Sequence, residues 1–490
     1  MLQVSTLSTP RLVLLGIDAA EFAYIQHHLE QLPHLRSALE RGSTHKLYSQ
    51  FDAYPGSVWP SFFTGKTVGE HGFYHIMAWD AAAMRLRRVT PDFLRLEPFW
   101  RQLGRRGLRT VTVDVPMTHV PISGPGLEIA GWGTHQTLTD CSVYPASLKR
   151  ELEARFGKDP LGSDVPTVGN LRERERVKRK LVASAVRKGE LGKWLIATAD
   201  WDLLLLVFGE VHRAGHVLWP AVESINPNWL LEVYQAVDRA IGEVLAALNP
   251  ENTIVAIFAL HGMGPNHSQN QFTAKILSAI SQKAVLGLNR TQRTRRRVLR
   301  SGVDRLPHNL LARLKRSLPR SAGDRVMNHY YIGGHQWSQV PAFALKSELN
   351  GYIRMNLRGR ERDGALEADK PETRAYVEQI RRGFASFRHE GGRPLVSQVF
   401  LADEIALGGQ RANLPDLSIS WADELSPATN IDSPLYGNIA ANPDRWRVGH
   451  HRCRGFMAVM QPQTHMRLEC PLKLQICALP EIIRRWLSAS

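Results

Sequence analysis

Several stretches of this 490-residue chain set metal-ligand residue types directly after apolar runs. LLLLVF (203–208) leads into GEVHRAGH (209–216), which carries Glu210, His212 and His216 within seven residues. Imidazole and carboxylate are the ligand types that zinc and its neighbours prefer, and a His pair spaced i, i+4 shares one helix face. A chance pair is the bland alternative, but burying these groups without an ion leaves costly polar atoms, which favours ligation. TIVAIFA (253–259) ends in LHGMGPNH, delivering His261 and then His267. Near the C-terminus WRVGHHRCRGF offers His450 and His451 just before another apolar stretch. Asp18 follows the first apolar run, LVLLGI (12–17), where it is either a ligand or the cap of the next helix. Imidazoles and a carboxylate delivered at separate strand ends can converge on one centre.

A hydroxyl completes the set. In AYPGSVWPSFFTGKTVGEHG (53–72), Ser57 stands between a Pro-Gly turn and a stretch that can turn helical at Pro60. A free serine is a poor nucleophile, but a metal ion beside it favours its deprotonated oxygen, and a helix N-terminus presents N–H groups to a phosphate. The plain alternative is that Ser57 only caps that helix.

The elements that must position these residues follow from the apolar pattern. LVLLGI, RTVTVDV (109–115), LLLLVF and TIVAIFA alternate with longer helical patterns, which is the signature of a parallel α/β sheet with crossover helices. In open sheets of this kind ligands bind beyond the carboxyl ends of the strands. Strand signals resume at AFAL (342–345), YIRMNL (352–357), DLSISW (416–421) and GFMAVM (455–460), as if one sheet were interrupted and no second domain were needed. The interruption, 280–330, contains Leu310, Leu311, Leu314 and Leu318 at helical spacing with cations between them, and predicts an inserted basic amphipathic helical cap. The core is then 1–279 with 331–490.

Charge and composition bound the function. The net charge of +16 is local: residues 290–325 hold 12 Lys/Arg against two Asp, or +10, which leaves +6 for the rest. An anionic partner fits this segment, either a small phosphate ester at a nearby site or a nucleic acid or anionic membrane surface; the lack of interleaved aromatics weighs against single strands. The apolar runs are far shorter than the ~20 residues of a membrane-spanning helix, and the N-terminus lacks the basic region of a signal peptide. Four cysteines without CxxC spacing argue against a disulfide framework or a structural zinc motif. A cytoplasmic location is expected.

The order LLGID ending at Asp18, SVWPSFFTG with a later His-Gly, HRAGH, LHGM and GHHR resembles the alkaline phosphatase superfamily, and within it the type I phosphodiesterase/nucleotide pyrophosphatase branch. DVPMTHVP (114–121), RMNLRGRERDG (354–364) and LPDLSISW (414–421) resemble its predicted phosphohydrolase/phosphomutase members. The resemblance implies an alkaline-phosphatase-like sandwich of helices around a mostly parallel central sheet. It implies two divalent metal ions, usually zinc, about 4 Å apart, that clamp a phosphoryl group while a Ser or Thr attacks it. Asp18, Ser57 and His261 would surround one ion, and His212, His216 and His451 the other, His451 being preferred to His450 because it directly precedes Arg452.

Three departures qualify it. Leu260 stands where the family has an Asp, His212 replaces another Asp, and the usual nucleophile position falls on Val58 or Pro55, so that Ser57 is the nearest hydroxyl, with Ser61 and Thr64 behind it. Glu210 is a candidate to restore the lost charge, and the Asp18 position is expected to be the weaker one. The function implied is metal-dependent hydrolysis or transfer of a phosphoric ester with Ser57 as nucleophile. The alternative is a relative that binds an anion without turnover.

Overall fold

The computed structural model of the chain describes residues 11–90, 93, 97–134, 141–158, 170–220, 226, 228–284, 336–345, 347, 349–443, 447–462 and 470–488. Apart from residues 280–284, the cap expected at 280–330 and the whole basic segment 290–325 lie outside them. The chain divides into two compact units, one of Met1–His71, Thr90–Asn266 and Trp446–Ser490, the other of Gly72–Val89 and His267–Arg445.

The first unit is built on a nine-stranded sheet in the order Lys473–Gln475, Ser43–Tyr48, Gly455–Met460, Thr253–Ala259, Arg11–Ile17, Leu203–Phe208, Thr110–Val113, Leu127–Ala130 and Ser142–Tyr144. The five strands from Thr253–Ala259 to Leu127–Ala130 are mutually parallel. Gly455–Met460 and Ser142–Tyr144 join them antiparallel. Leu203–Phe208 lies between two parallel neighbours and is buried along its whole length, so it reads as an unbroken apolar run with no alternation. Leu181, Ala185 and Leu195 of the helix Leu171–Thr198 share one buried cluster with Val233, Val237 and Ile241 of the helix Asn228–Ala246 and with Val13, Leu15, Leu204 and Leu206 of the sheet. This is the α/β architecture with a mostly parallel sheet that the sequence predicts.

The second unit differs from the expectation of one interrupted sheet. Ala342–Leu345, Gly351–Met355, Leu417–Trp421 and Val396–Leu401 form a separate four-stranded antiparallel sheet, with its own core shared with the helices Thr273–Lys283 and Pro371–Ala385. Of the late strand signals, only Gly455–Met460 returns to the large sheet. The charged residues of RMNLRGRERDG are engaged within this second unit. Arg354 Nε donates to Glu361 Oε1 at 2.7 Å, and Arg360 pairs with both oxygens of Asp416. That stretch therefore holds its own fold together.

Candidate metal centre

Three adjacent parallel strands deliver the chemistry at their carboxyl ends. Arg11–Ile17 is the middle one and ends in Asp18, whose N–H donates to Phe208 O of the neighbouring strand at 2.9 Å. Ala19 follows with φ 57°, a left-handed conformation that non-glycine residues seldom adopt and that turns the chain sharply beyond the strand. Leu203–Phe208 runs through Gly209 into the helix Glu210–Leu218, which carries His212 and His216 one turn apart. Thr253–Ala259 leads through Leu260 to His261.

His451 arrives by a different route. The short strand Gly262–Pro265 pairs antiparallel with Gly449–Arg452, which puts His451 opposite Met263. Gly449 permits this docking, because a Cβ there would lie 2.1 Å from the carbonyl oxygen of Gly215 on the helix. The same close approach lets His216 Nδ1 bond Gly449 O at 3.0 Å.

The result is a triangle of ring nitrogens. His212 Nε2 lies 3.0 Å from His216 Nε2, and His451 Nε2 lies 2.8 Å and 3.1 Å from these two. His212 and His216 are buried and His451 is partly so. His216 donates its Nδ1–H to a carbonyl, and His212 Nδ1 faces Asp18 Oδ2 at 2.5 Å, so both rings turn an Nε2 lone pair inward. No proton of their own then stands between those two nitrogens, which His451 Nε2 faces at 2.8 and 3.1 Å. Tetrahedral zinc with Zn–N bonds of about 2.05 Å puts its ligand nitrogens about 3.3 Å apart, so the triangle of 2.8, 3.0 and 3.1 Å would open by a few tenths of an ångström around such an ion. Burial, with Arg447 and the neighbouring imidazoles adding to it, holds His216 well below the ordinary histidine range, and burial with the surrounding imidazoles does the same to His451. Both rings are therefore neutral at neutral pH, the state a metal requires.

The remaining candidates lie in two groups. His261 Nε2 is 3.5 Å from Asp18 Oδ1, its ring stacks on His451 with centroids 4.7 Å apart, and burial lowers its pKa to about 4. Ser57 is 1% exposed and closes the turn Pro55–Ser57 ahead of the helix Val58–Thr64. Its hydroxyl makes no cap bond to that helix and donates to Tyr54 O at 2.7 Å. Trp59, next but one, donates its indole N–H to Asp18 Oδ1 at 2.8 Å and ties the Ser57 segment to the strand end. Glu210 faces elsewhere: Oε1 accepts from Ser184 Oγ at 2.7 Å and lies 3.3 Å from Lys188 Nζ. His450 stays outside the triangle, its Nδ1 accepting the backbone N–H of His451 at 2.9 Å. His267 belongs to the second unit, where Nε2 is 3.4 Å from Asp423 Oδ1.

Trp59, Lys188 and Asp114 are additions that the residue pattern did not single out. Asp114 had a legible signal, since it directly follows the strand Thr110–Val113 as Asp18 follows Arg11–Ile17; Lys188, inside a long charged helix, had none.

Residues 12–339 match the sequence profile of type I phosphodiesterases/nucleotide pyrophosphatases. The chain belongs to this family. No curated protein sequence matches significantly. Among solved structures, phosphonoacetate hydrolase from Sinorhizobium meliloti 1021, in complex with phosphonoformate, is similar with a TM-score of 0.55 at 13% identity, covering 98% of this chain and 96% of that one. An inactive form of murine ectonucleotide pyrophosphatase/phosphodiesterase 5, in complex with AMP, is similar with a TM-score of 0.52 at 10% identity, covering 98% and 96%. At such identities the likeness is one of fold, that of the alkaline phosphatase superfamily. Family membership makes the chain a phosphoric-ester hydrolase in class. Among the described residues no helix is long and apolar enough to cross a membrane.

Proposed function

We propose that this phosphodiesterase-family chain is a metal-dependent phosphoric-ester hydrolase whose ion is held by His212, His216 and His451 and whose nucleophile is Ser57. The convergence of three Nε2 atoms within 3.1 Å of one another carries the reading. The donor set suits zinc, which would polarise a phosphoryl oxygen and leave a coordination position open. Ser57, buried and anchored through Trp59 to the strand end, would form the Oγ–P bond as the bond to the leaving alcohol breaks, and water would then release the phosphate. The substrate would be a small phosphate ester, a class that includes AMP, found in one structural neighbour. The basic segment 290–325, with +10 of charge, would draw such an anion in, so its removal should weaken substrate binding and flatten the salt dependence without loss of metal.

The second ion that the resemblance implies would fall to Asp18, Ser57 and His261. That set is poor in free donors, since Asp18 accepts from Trp59, Ser57 is bonded to Tyr54, and Leu260, buried next door, offers none. The same Leu260 favours the competing reading of a member that binds an anion without turnover. Elemental analysis of the purified protein, with rates on an aryl phosphate and an aryl phosphodiester, tests both. Bound metal with turnover that Ser57→Ala abolishes supports the hydrolase. Bound metal without turnover on any ester supports the binding protein, and full activity in a metal-free preparation overturns the proposal.

A further inference from the structure

We infer that Asp18 is the carboxylate that orients His212, not a metal ligand, and that the centre holds a single ion per chain. The inference rests on the metal site proposed above and concerns the division of labour within it. Asp18 Oδ2 and His212 Nδ1 are 2.5 Å apart. Asp18 meets the ring nitrogen opposite the one turned to His216 and His451, and a charge-assisted N–H···O⁻ bond is the contact an imidazole Nδ1–H makes with a carboxylate there. His212 thus has two ends. Its Nδ1–H is given to Asp18, and its Nε2 lone pair is turned to His216 and His451. A carboxylate in this position fixes the tautomer and makes the ring a better ligand.

The other oxygen of Asp18 is held as well. Oδ1 accepts the Trp59 indole N–H at 2.8 Å, and this bond orients the carboxylate plane toward His212. A carboxylate at position 212 would have no proton to offer Asp18, and two facing carboxylates would need a cation between them. The imidazole N–H fills that place. The apolar Leu260, 1% exposed, agrees with this, because a second ion would otherwise lack a carboxylate from the neighbouring strand end. Asp18 Oδ1 does lie 3.5 Å from His261 Nε2, but a second ion there would have to share that oxygen with the Trp59 indole, take the Ser57 hydroxyl from Tyr54 O and do without a carboxylate at position 260. Asp18 is then a positioning residue that acts through His212.

The test uses the full chain, stripped of metal and reloaded with Zn²⁺ or Co²⁺, and reads ion count by elemental analysis and ligand field by the Co²⁺ visible spectrum. One ion per chain is expected in the parent. Asp18→Asn should keep that ion, with affinity lowered roughly 10- to 100-fold and a tetrahedral Co²⁺ band still present, because the amide oxygen still accepts from His212. His261→Ala should leave the count at one, which serves as a second arm if the Asp18 variant folds poorly. Two ions per chain, or a drop from two to one in either variant, would overturn the inference and leave the proposed function standing. No bound ion at all would instead remove the metal site on which both depend.

Discussion

The helix Glu210–Leu218 separates two buried polar clusters of opposite character. On one face His212 and His216 meet His451, three ring nitrogens that converge within 3.1 Å of one another. On the other, Glu210 meets Lys188 and Asp114, where the cation is a side chain. Lys188 Nζ lies 2.9 Å from Asp114 Oδ2, 3.3 Å from Glu210 Oε1 and 3.0 Å from Val207 O, with all three charged side chains fully buried. Asp114 also accepts the N–H groups of Trp132 and Gly133, each at 2.7 Å. The second cluster is complete as folded, and the first is the donor set of the proposed metal site. A buried cluster that carries its own counter-charge is complete as a structural element, whereas convergent neutral imidazoles are a set of metal donors.

The largest effect expected from that contrast is on the imidazole side. His216→Ala removes one of three ligands and uncovers no buried charge, so the fold should hold while metal is lost. Loss of several kcal/mol of transition-state stabilisation lowers turnover by roughly 10²- to 10⁴-fold. Elemental analysis, with thermal melts in chelator, checks the two parts separately. A variant that keeps its metal, or that melts far below the metal-free parent, would break the contrast.

The opposite pattern is expected of Lys188→Met. It leaves Asp114 and Glu210 buried without their cation, and breaking a buried ion pair from one side costs about 3–5 kcal/mol. Denaturant unfolding should show this loss with metal content per folded molecule unchanged.

Much of the imidazole site is legible in the sequence, because His212 and His216 follow the apolar run Leu203–Phe208 at helical spacing and His451 stands just before the apolar run Gly455–Met460. Other features are not legible. An apolar alternation marks a strand but not its partner, which is why Ala342–Leu345, Gly351–Met355 and Leu417–Trp421 read as a continuation of the large sheet although they form another. The direction of Asp18 is also hidden, since a carboxylate at a strand end can face an ion or an imidazole, and the choice is made by Trp59 and His212, 41 and 194 positions away.

The two clusters should also part company with pH. Burial first, and then surrounding positive and imidazole groups, depress His216 and His451 in the metal-free protein. Below the unfolded histidine value of about 6.5 the unfolded chain takes up protons that the folded chain refuses, so stability present above that pH is lost as pH falls. Lys188 runs the other way. Burial by itself would lower it, but the Asp114 and Glu210 carboxylates outweigh burial and raise it. Its contribution is complete below the unfolded lysine value of about 10.4 and is lost only as pH rises through the higher folded value. Chelated protein should lose up to about 1.4 kcal/mol per pH unit for each such histidine on acidification, and because the folded rings stay neutral with or without an ion, saturating Zn²⁺ should raise the whole stability curve without changing that slope. A stability curve that Zn²⁺ does not raise would show that these imidazoles hold no ion.

The smallest effect is expected at the residue that joins the two clusters, and it decides on which side Glu210 belongs. Residues two apart on a helix do not share a face, so Glu210 cannot follow His212 toward the ion while the helix is intact. Its Oε1 is held by Ser184 and Lys188, and Oε2 makes no hydrogen bond among the described residues. Glu210→Gln preserves the shape and an acceptor for Ser184, and leaves Lys188 the Asp114 carboxylate at 2.9 Å. Asp114 thus still neutralises the ammonium, which no single change at position 188 permits. The expected cost is about 1 kcal/mol, the net worth of one hydrogen bond in a network that remains neutralised. Ion count and Co²⁺ spectrum should match the parent, because no metal-facing atom has changed. Had Glu210 supplied the carboxylate missing at Leu260, the amide would weaken metal binding and alter the spectrum while barely touching stability. Unfolding and metal titration of this one variant therefore give opposite signatures for the two placements, and a loss of metal from Glu210→Gln would move the residue from the ion cluster to the site.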